Sequence, residues 1–175
     1  SSTGTGFYLN TDKAIYLVTA KHVLFKPDTG ELISDRATLV SYSKDIKDKS
    51  QNIINLDLLT LFQSGHIVSH KASDVAAIKI LTMSPEKVTH LLSGATVQAR
   101  AQNGILGVHR STIKTFDEIL VANDVFVFGY PASLGMKDIP QIDYQRPLLR
   151  KEIIAGKNEN LKTIILDCPV FPGNS

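Results

Sequence analysis

The sequence has 175 residues, of which 43% are hydrophobic and 21% are charged, a balance that suits one ordinary domain or two small ones and excludes global disorder. The net charge of +2 provides no basic surface for a polyanion, so composition gives no support for nucleic-acid binding. The single cysteine, Cys168, excludes an internal disulfide and a cysteine-rich zinc site, and no apolar run reaches the roughly 18–20 residues of a membrane span.

In chain order, the dominant pattern is a series of short runs that are rich in β-branched and aromatic residues and are separated by turn residues. Such runs have the length and the boundaries of strands. The predicted strands are residues 7–9, 15–18, 39–42, 53–62, 75–80, 96–99, 125–128, 148–154 and 163–166. One window, residues 84–92, favours a helix, because Ser84 suits an N-cap and Pro85 suits the first helical position. Regularly spaced strands with little helix predict an all-β fold, either a sandwich or a barrel.

The predicted strands fall into two groups, which indicates two domains. Residues 1–81 form the first group and residues 95–175 form the second, with the polar segment 82–94 between them. The run of alternating charges at 44–49 is typical of a solvated loop.

Three segments contain residues suited to chemistry. Residues 16–23 (YLVTAKHV) form a β-run followed at once by His22, a position where a scaffold would present a general base. Asp74 opens an apolar strand, where a carboxylate needs a partner such as an imidazole N–H. In residues 171–175 (FPGNS), glycine allows a tight turn that directs successive N–H groups to one spot beside the Ser175 hydroxyl.

Nucleophilic acyl transfer needs these parts together: a hydroxyl, a base that takes its proton, an acid that orients the base, and N–H donors for the oxyanion. Each segment alone is a common pattern. The order His, Asp, Ser is more informative, because it places His22 and Asp74 in one half of the chain and Ser175 in the other.

The whole set resembles a trypsin-like serine peptidase of the double β-barrel (chymotrypsin) fold, closest in style to the bacterial high-temperature-requirement and glutamyl-endopeptidase groups. The matching pieces span nearly the whole chain in the family's order and are GTGF at 4–7, VTAKHV at 18–23, DVA at 74–76, GYP at 129–131 and PGNS at 172–175. The resemblance implies two six-stranded antiparallel β-barrels, with His22 as general base and acid, Asp74 orienting it, and Ser175 as the nucleophile. It also implies an oxyanion hole from the backbone N–H groups of Gly173 and Ser175, a polypeptide substrate, and no metal or cofactor.

Two positions differ from the family's digestive members. Asn174 precedes the nucleophile where zymogen-activated members carry Asp, so activation by N-terminal clipping is not expected. Pro169 stands where trypsin-type enzymes place an Asp, so a preference for Arg or Lys substrates is not predicted.

The family continues beyond the nucleophile through further strands, whereas this sequence stops at Ser175. We therefore expect the second barrel to be incomplete here, and a longer chain or an activating partner to supply the rest. Residues 1–4 lack the charged-then-apolar layout of a signal peptide, and the sequence leaves the compartment open.

Other functions are compatible with parts of this pattern. A catalytically silent protease-fold module would bind a peptide or protein partner, although a pure binder has no need for His, Asp and Ser together. An esterase would use the same triad, because the acyl chemistry is shared.

Several single residues also have alternative interpretations. His66, His70 and Asp74 have the spacing of three metal ligands on one face of a helix, but the turn-like residues between them argue against that helix. Residues 4–6 (GTG) lack the helix that must follow a dinucleotide loop, and Cys168 is interpreted as a small buried apolar residue. Three cations suit either the steering of an acidic substrate or ordinary solvated surface: Lys79, Arg146 and Arg150.

Overall fold

The computed structural model describes residues 4–43, 45, 47–86, 89–102, 107–129 and 147–167. Of the described residues, 50% lie in strands and 12% in helices, so the chain is mostly β, as the sequence predicts. The strands are β1 (Gly6–Asn10), β2 (Ala14–Thr19), β3 (Arg36–Tyr42), β4 (Gln51–Asp57), β5 (Ile67–Ser69), β6 (Ala76–Met83), β7 (Thr89–Leu91), β8 (Ala95–Ala99), β9 (Gly107–His109), β10 (Asp124–Gly129), β11 (Leu148–Asn158) and β12 (Thr163–Leu166). The helices are α1 (Lys21–Leu24), α2 (Leu58–Gln63) and two 3₁₀ turns at Arg110–Thr112 and Phe116–Glu118.

The chain divides into two compact units. The main segment of unit 1 is Gly6–Ser111 and that of unit 2 is Thr112–Ser175. This division falls later than the connecting segment 82–94 that the sequence suggests, because β8 pairs with β4 and β9 pairs with β1 inside unit 1. The assignment of the two domains to two barrels stays a prediction.

Unit 1 contains two sheets. One has the strand order β5-β6-β2-β1-β9, with β7 also paired to β6, and the other has the order β3-β4-β8. Strands β1 and β9 run parallel, which differs from the wholly antiparallel sheets that were expected. Among the described residues neither sheet closes on itself, so the predicted barrels are not confirmed.

Alternation of side chains builds the core of unit 1. In β6, Ala76, Ile78 and Ile80 are 1%, 0% and 1% exposed, and the residues between them are less buried. In β4, Ile54 and Leu56 follow the same period of two. Because successive side chains of a strand point to opposite faces, this pattern directs one face of each strand into the core. The buried cluster comprises Tyr8, Leu17, Leu24, Phe25, Ile54, Leu56, Leu58, Leu61, Ile67, Ala76, Ile78 and Ile80.

The strand predicted at 53–62 is wrong in its second half, where the structure has α2. Strand β4 ends at Asp57, whose Oδ1 accepts a hydrogen bond from the Thr60 N–H at 3.0 Å and so caps the helix. Leu58 and Leu61, three positions apart, are then both buried, as helical spacing requires.

The helix predicted at 84–92 is also wrong among the described residues. Thr89–Leu91 form β7, which pairs antiparallel with Leu81–Met83 of β6. Pairing with the second half of β6 overrides the local preference of Ser84 and Pro85 for a helix start. No helix in the described part of the chain is long and apolar enough to cross a membrane.

In unit 2 the described residues form one antiparallel sheet with the order β10-β11-β12. A register shift between Ile154 and Gly156 marks a bulge in β11. The ammonium groups of Lys157 and Lys162 lie 4.4 and 4.8 Å from the centre of the Phe116 ring. These cation–π contacts tie the second 3₁₀ turn to the β11–β12 hairpin.

Gly6 lies opposite Thr19 where β1 and β2 approach closely. A Cβ at this position would lie 2.8 Å from the Val18 carbonyl oxygen and 3.0 Å from Leu17 Cδ1. We expect Gly6→Ala to lower the free energy of unfolding by about 1–3 kcal/mol, as overpacking does, in urea titrations. Gly156→Ala is the control, because its nearest neighbour would be at an ordinary 3.5 Å. Equal losses in both variants would contradict the close approach.

Candidate active site

The register of β2 and β6 brings two distant chain segments to the same place. Thr19, the last residue of β2, pairs with Ala76, the first residue of β6. His22 follows Thr19 by three positions, and Asp74 precedes Ala76 by two. The two predicted side chains therefore emerge from the same end of this strand pair, which explains how they meet.

Helix α1 holds His22 next to the end of β2. The turn is closed by the Phe25 N–H, which donates to the Lys21 carbonyl at 2.9 Å. Leu24 and Phe25 are 6% and 4% exposed, so they anchor the turn in the core. The His22 side chain, in contrast, is 50% exposed and faces an accessible region.

His22 binds the Asp74 carboxylate through two atoms. Its ring Nδ1 lies 2.6 Å from Asp74 Oδ2, and its backbone N–H donates to Asp74 Oδ1 at 2.9 Å. The hydrogen bond from the ring is the largest cause that lowers the pKa of Asp74 below its ordinary value, and the backbone bond lowers this pKa further. The carboxylate is therefore held ionised and in one orientation.

This contact determines where the imidazole carries its proton. An ionised carboxylate can only accept hydrogen bonds, so the proton of the short contact belongs to Nδ1 of His22. In the neutral ring the lone pair is then on Nε2. An imidazole in this tautomer is equipped to take a proton from a hydroxyl or from water at Nε2.

A further histidine shapes the loop that carries Asp74. The Nδ1 atom of His70 accepts hydrogen bonds from the N–H groups of Ser73, at 2.8 Å, and Ala72, at 3.3 Å. The sequence interpretation considered His70 only as a metal ligand and missed this role. The available signal was the turn-like stretch between His70 and Asp74, since side-chain acceptors two or three residues before such N–H groups are typical of turns.

The remaining predicted site residues lie outside the described part of the chain. Gly173 and Ser175 are among them, so the structure joins two members of the predicted triad and does not describe the third. The same holds for Cys168, Pro169 and Asn174.

The helix that a metal site at His66, His70 and Asp74 would need does not form. Ile67–Ser69 is strand β5, and residues 71–74 are bends. Among the described residues no three His, Cys, Asp or Glu side chains converge as a metal would require.

Another histidine–serine contact occurs elsewhere in unit 1. His109 Nδ1 lies 2.7 Å from the Ser111 hydroxyl, and its Nε2 lies 3.6 Å from Asp12 Oδ1. The Asp12 side chain is 95% exposed, so this carboxylate orients the ring far less firmly than Asp74 orients His22. His109 and Asp12 line a surface depression of about 630 Å³ between the β1–β2 turn and the end of β6.

A smaller depression of about 280 Å³ lies beside the Asp74 loop. Val68, Val75 and Ala77 are among the residues that line it, and His70 also contributes. Apolar side chains make up most of the lining of this depression.

Comparisons of the chain with protein-family models, with curated proteins and with solved structures found no match. The functional assignment rests on the residues and contacts of the chain itself.

The lowered pKa of Asp74 predicts a pH-dependent contribution to stability. The stabilisation is fully present above the unfolded-state pKa of about 3.9 and is lost as the pH falls through the lower folded-state value. We expect Asp74→Asn to reduce the free energy of unfolding at pH 6 by no more than about 1 kcal/mol, because the pair is half exposed. In urea titrations at pH 3 and below, the difference from the wild type should shrink.

Asp28→Asn, in an exposed turn, is the matched control for loss of a carboxylate. A difference between wild type and Asp74→Asn that stays constant from pH 6 to strong acid would contradict an ionised, hydrogen-bonded Asp74.

Proposed function

We propose that this protein is a serine endopeptidase that hydrolyses polypeptides through an acyl-enzyme, with His22, Asp74 and Ser175 as its catalytic triad. The proposal includes the trypsin-like fold of two β-barrels that the sequence resembles. It also includes the backbone N–H groups of Gly173 and Ser175 as donors to the oxyanion.

One observation supports this proposal above the others, namely the contact between His22 Nδ1 and Asp74 Oδ2 at 2.6 Å. An imidazole whose Nδ1–H is bound by a carboxylate presents Nε2 as a base, which is the arrangement that nucleophilic serine chemistry needs. The second bond, from the His22 backbone, fixes the carboxylate relative to the residue that it orients.

In the proposed reaction, the Ser175 hydroxyl oxygen attacks the carbonyl carbon of a peptide bond, and His22 Nε2 takes the hydroxyl proton. Backbone N–H donors stabilise the negative oxygen of the tetrahedral intermediate. The intermediate collapses as His22 gives its proton to the leaving amine, which leaves an ester between the substrate acyl group and Ser175. Water then attacks this ester while His22 takes a proton from it, and His22 passes that proton to the Ser175 oxygen as the ester bond breaks and the acid product leaves.

Asp74 has a defined part in this cycle. It keeps the proton of neutral His22 on Nδ1, and it stabilises the imidazolium that forms when Nε2 is protonated. Both side chains are about half exposed, at 50% and 56%, which leaves His22 open to a polypeptide substrate.

We expect Ser175→Ala to abolish both the cleavage of unfolded casein and labelling by a fluorophosphonate probe. Ser111→Ala is the matched control, because the Ser111 hydroxyl lies 2.7 Å from the Nδ1 atom of a different histidine, His109. Ser111→Ala should retain labelling and cleavage. Labelling that survives in Ser175→Ala would refute the assignment of the nucleophile, and casein binding without any fragments would favour a silent binding module.

We expect Asp74→Asn to lower turnover by about 10⁴-fold, because an asparagine amide favours the wrong imidazole tautomer. The measurement is the rate of peptide hydrolysis at saturating substrate, near neutral pH. Activity of Asp74→Asn within about tenfold of wild type would contradict the orienting role.

A further inference from the structure

We infer that His70 is a positioning residue, which folds the loop before β6 so that the Asp74 carboxylate stays within reach of His22. The effect of His70 on catalysis rests on the proposed function. Its effect on the position of Asp74 does not, because the His22–Asp74 contact is present in the structure.

Four hydrogen bonds close the loop between His70 and Val75. The His70 backbone N–H donates to the Val75 carbonyl at 2.8 Å, and the Val75 N–H donates to the Ser73 carbonyl at 2.9 Å. The His70 ring accepts from the Ser73 N–H at 2.8 Å and from the Ala72 N–H at 3.3 Å. Three of these four bonds therefore involve His70.

Asp74 lies between the two residues that these bonds hold. Ser73 uses both its N–H and its carbonyl in the loop, and so does Val75. The backbone on each side of Asp74 is thus held by bonds that do not involve His22. A shift of about 1 Å in a positioning group is enough to cost up to roughly 10²-fold in rate.

The chemistry of the acceptor suggests the conservative replacement. The Nδ1 atom of histidine and the Oδ1 atom of asparagine are both three bonds from Cα. Asparagine commonly accepts a hydrogen bond from an N–H group two residues further on, which forms an Asx turn. His70→Asn therefore keeps an acceptor in this loop, whereas His70→Leu keeps side-chain bulk and removes the acceptor.

Two exchange rates measured by NMR test this role without relying on catalysis. One is the exchange with water of the His22 Nδ1 proton, and the other is the exchange of the Ser73 amide proton. We expect His70→Leu to accelerate both by about five- to tenfold, the effect of losing one ordinary hydrogen bond. His70→Asn should stay close to wild type. His90→Leu, on the exposed strand β7, is the control for removal of an imidazole.

Rates in His70→Leu equal to those of wild type would overturn the inference, as would equal acceleration in His70→Asn and His70→Leu. If His70→Leu lacks the dispersed amide spectrum of the folded protein, His70→Gln takes its place, because it moves the acceptor outward by one methylene group. The same expectations then apply.

Peptide hydrolysis separates this inference from the proposed function. In an active enzyme, His70→Leu should lower kcat by about 10- to 100-fold with little change in KM, and His70→Asn should restore kcat. Absence of peptide hydrolysis in the wild-type full chain, together with any activating partner that it requires, would refute the peptidase proposal. The two exchange rates would still decide the role of His70.

Discussion

The candidate site depends on one carboxylate that accepts two hydrogen bonds from a single residue. Asp74 binds both the ring and the backbone of His22, at 2.6 and 2.9 Å. Because both side chains are about half exposed, attraction between charges is weakened by water and salt and contributes little by itself. The geometry must therefore come from the backbone that carries the two residues.

That backbone geometry originates in the core of unit 1. The pairing of Thr19 with Ala76 sets where β2 ends relative to where β6 begins. A slip of one residue would turn Ala76, Ile78 and Ile80 from the buried face to the outer face, so burial holds the register. Apolar packing of these side chains consequently places an imidazole and a carboxylate that do not belong to the core.

Parts of this arrangement were predictable from the sequence. The alternation of buried and less buried residues in β6 can be predicted from its own sequence. The sequence also indicated that the aspartate before this strand needs a partner. That requirement did not identify His22, which only the family resemblance indicated, and the Asp74 side chain is 56% exposed rather than buried. The catalytic roles of His22, Asp74 and Ser175 remain predictions. Strand β7 was not predictable, because it depends on pairing with β6. The start of helix α2 did have a local signal, because Asp57 is a residue type that favours the N-cap. The role of His70 as a hydrogen-bond acceptor in the loop was missed, because its spacing of four residues from Asp74 also fits one turn of a helix.

The acid–base pair and the loop that supports it lie wholly within the segment Gly6–Ser111. A single break in the polypeptide after Ser111 would leave the imidazole and its carboxylate on one piece, joined by the same covalent chain. Recombination at that point would transfer the proton-accepting half of the proposed machinery intact to another partner sequence. The strands that share the core of unit 1 thus carry the imidazole, its carboxylate and the loop that supports them as one continuous piece of chain.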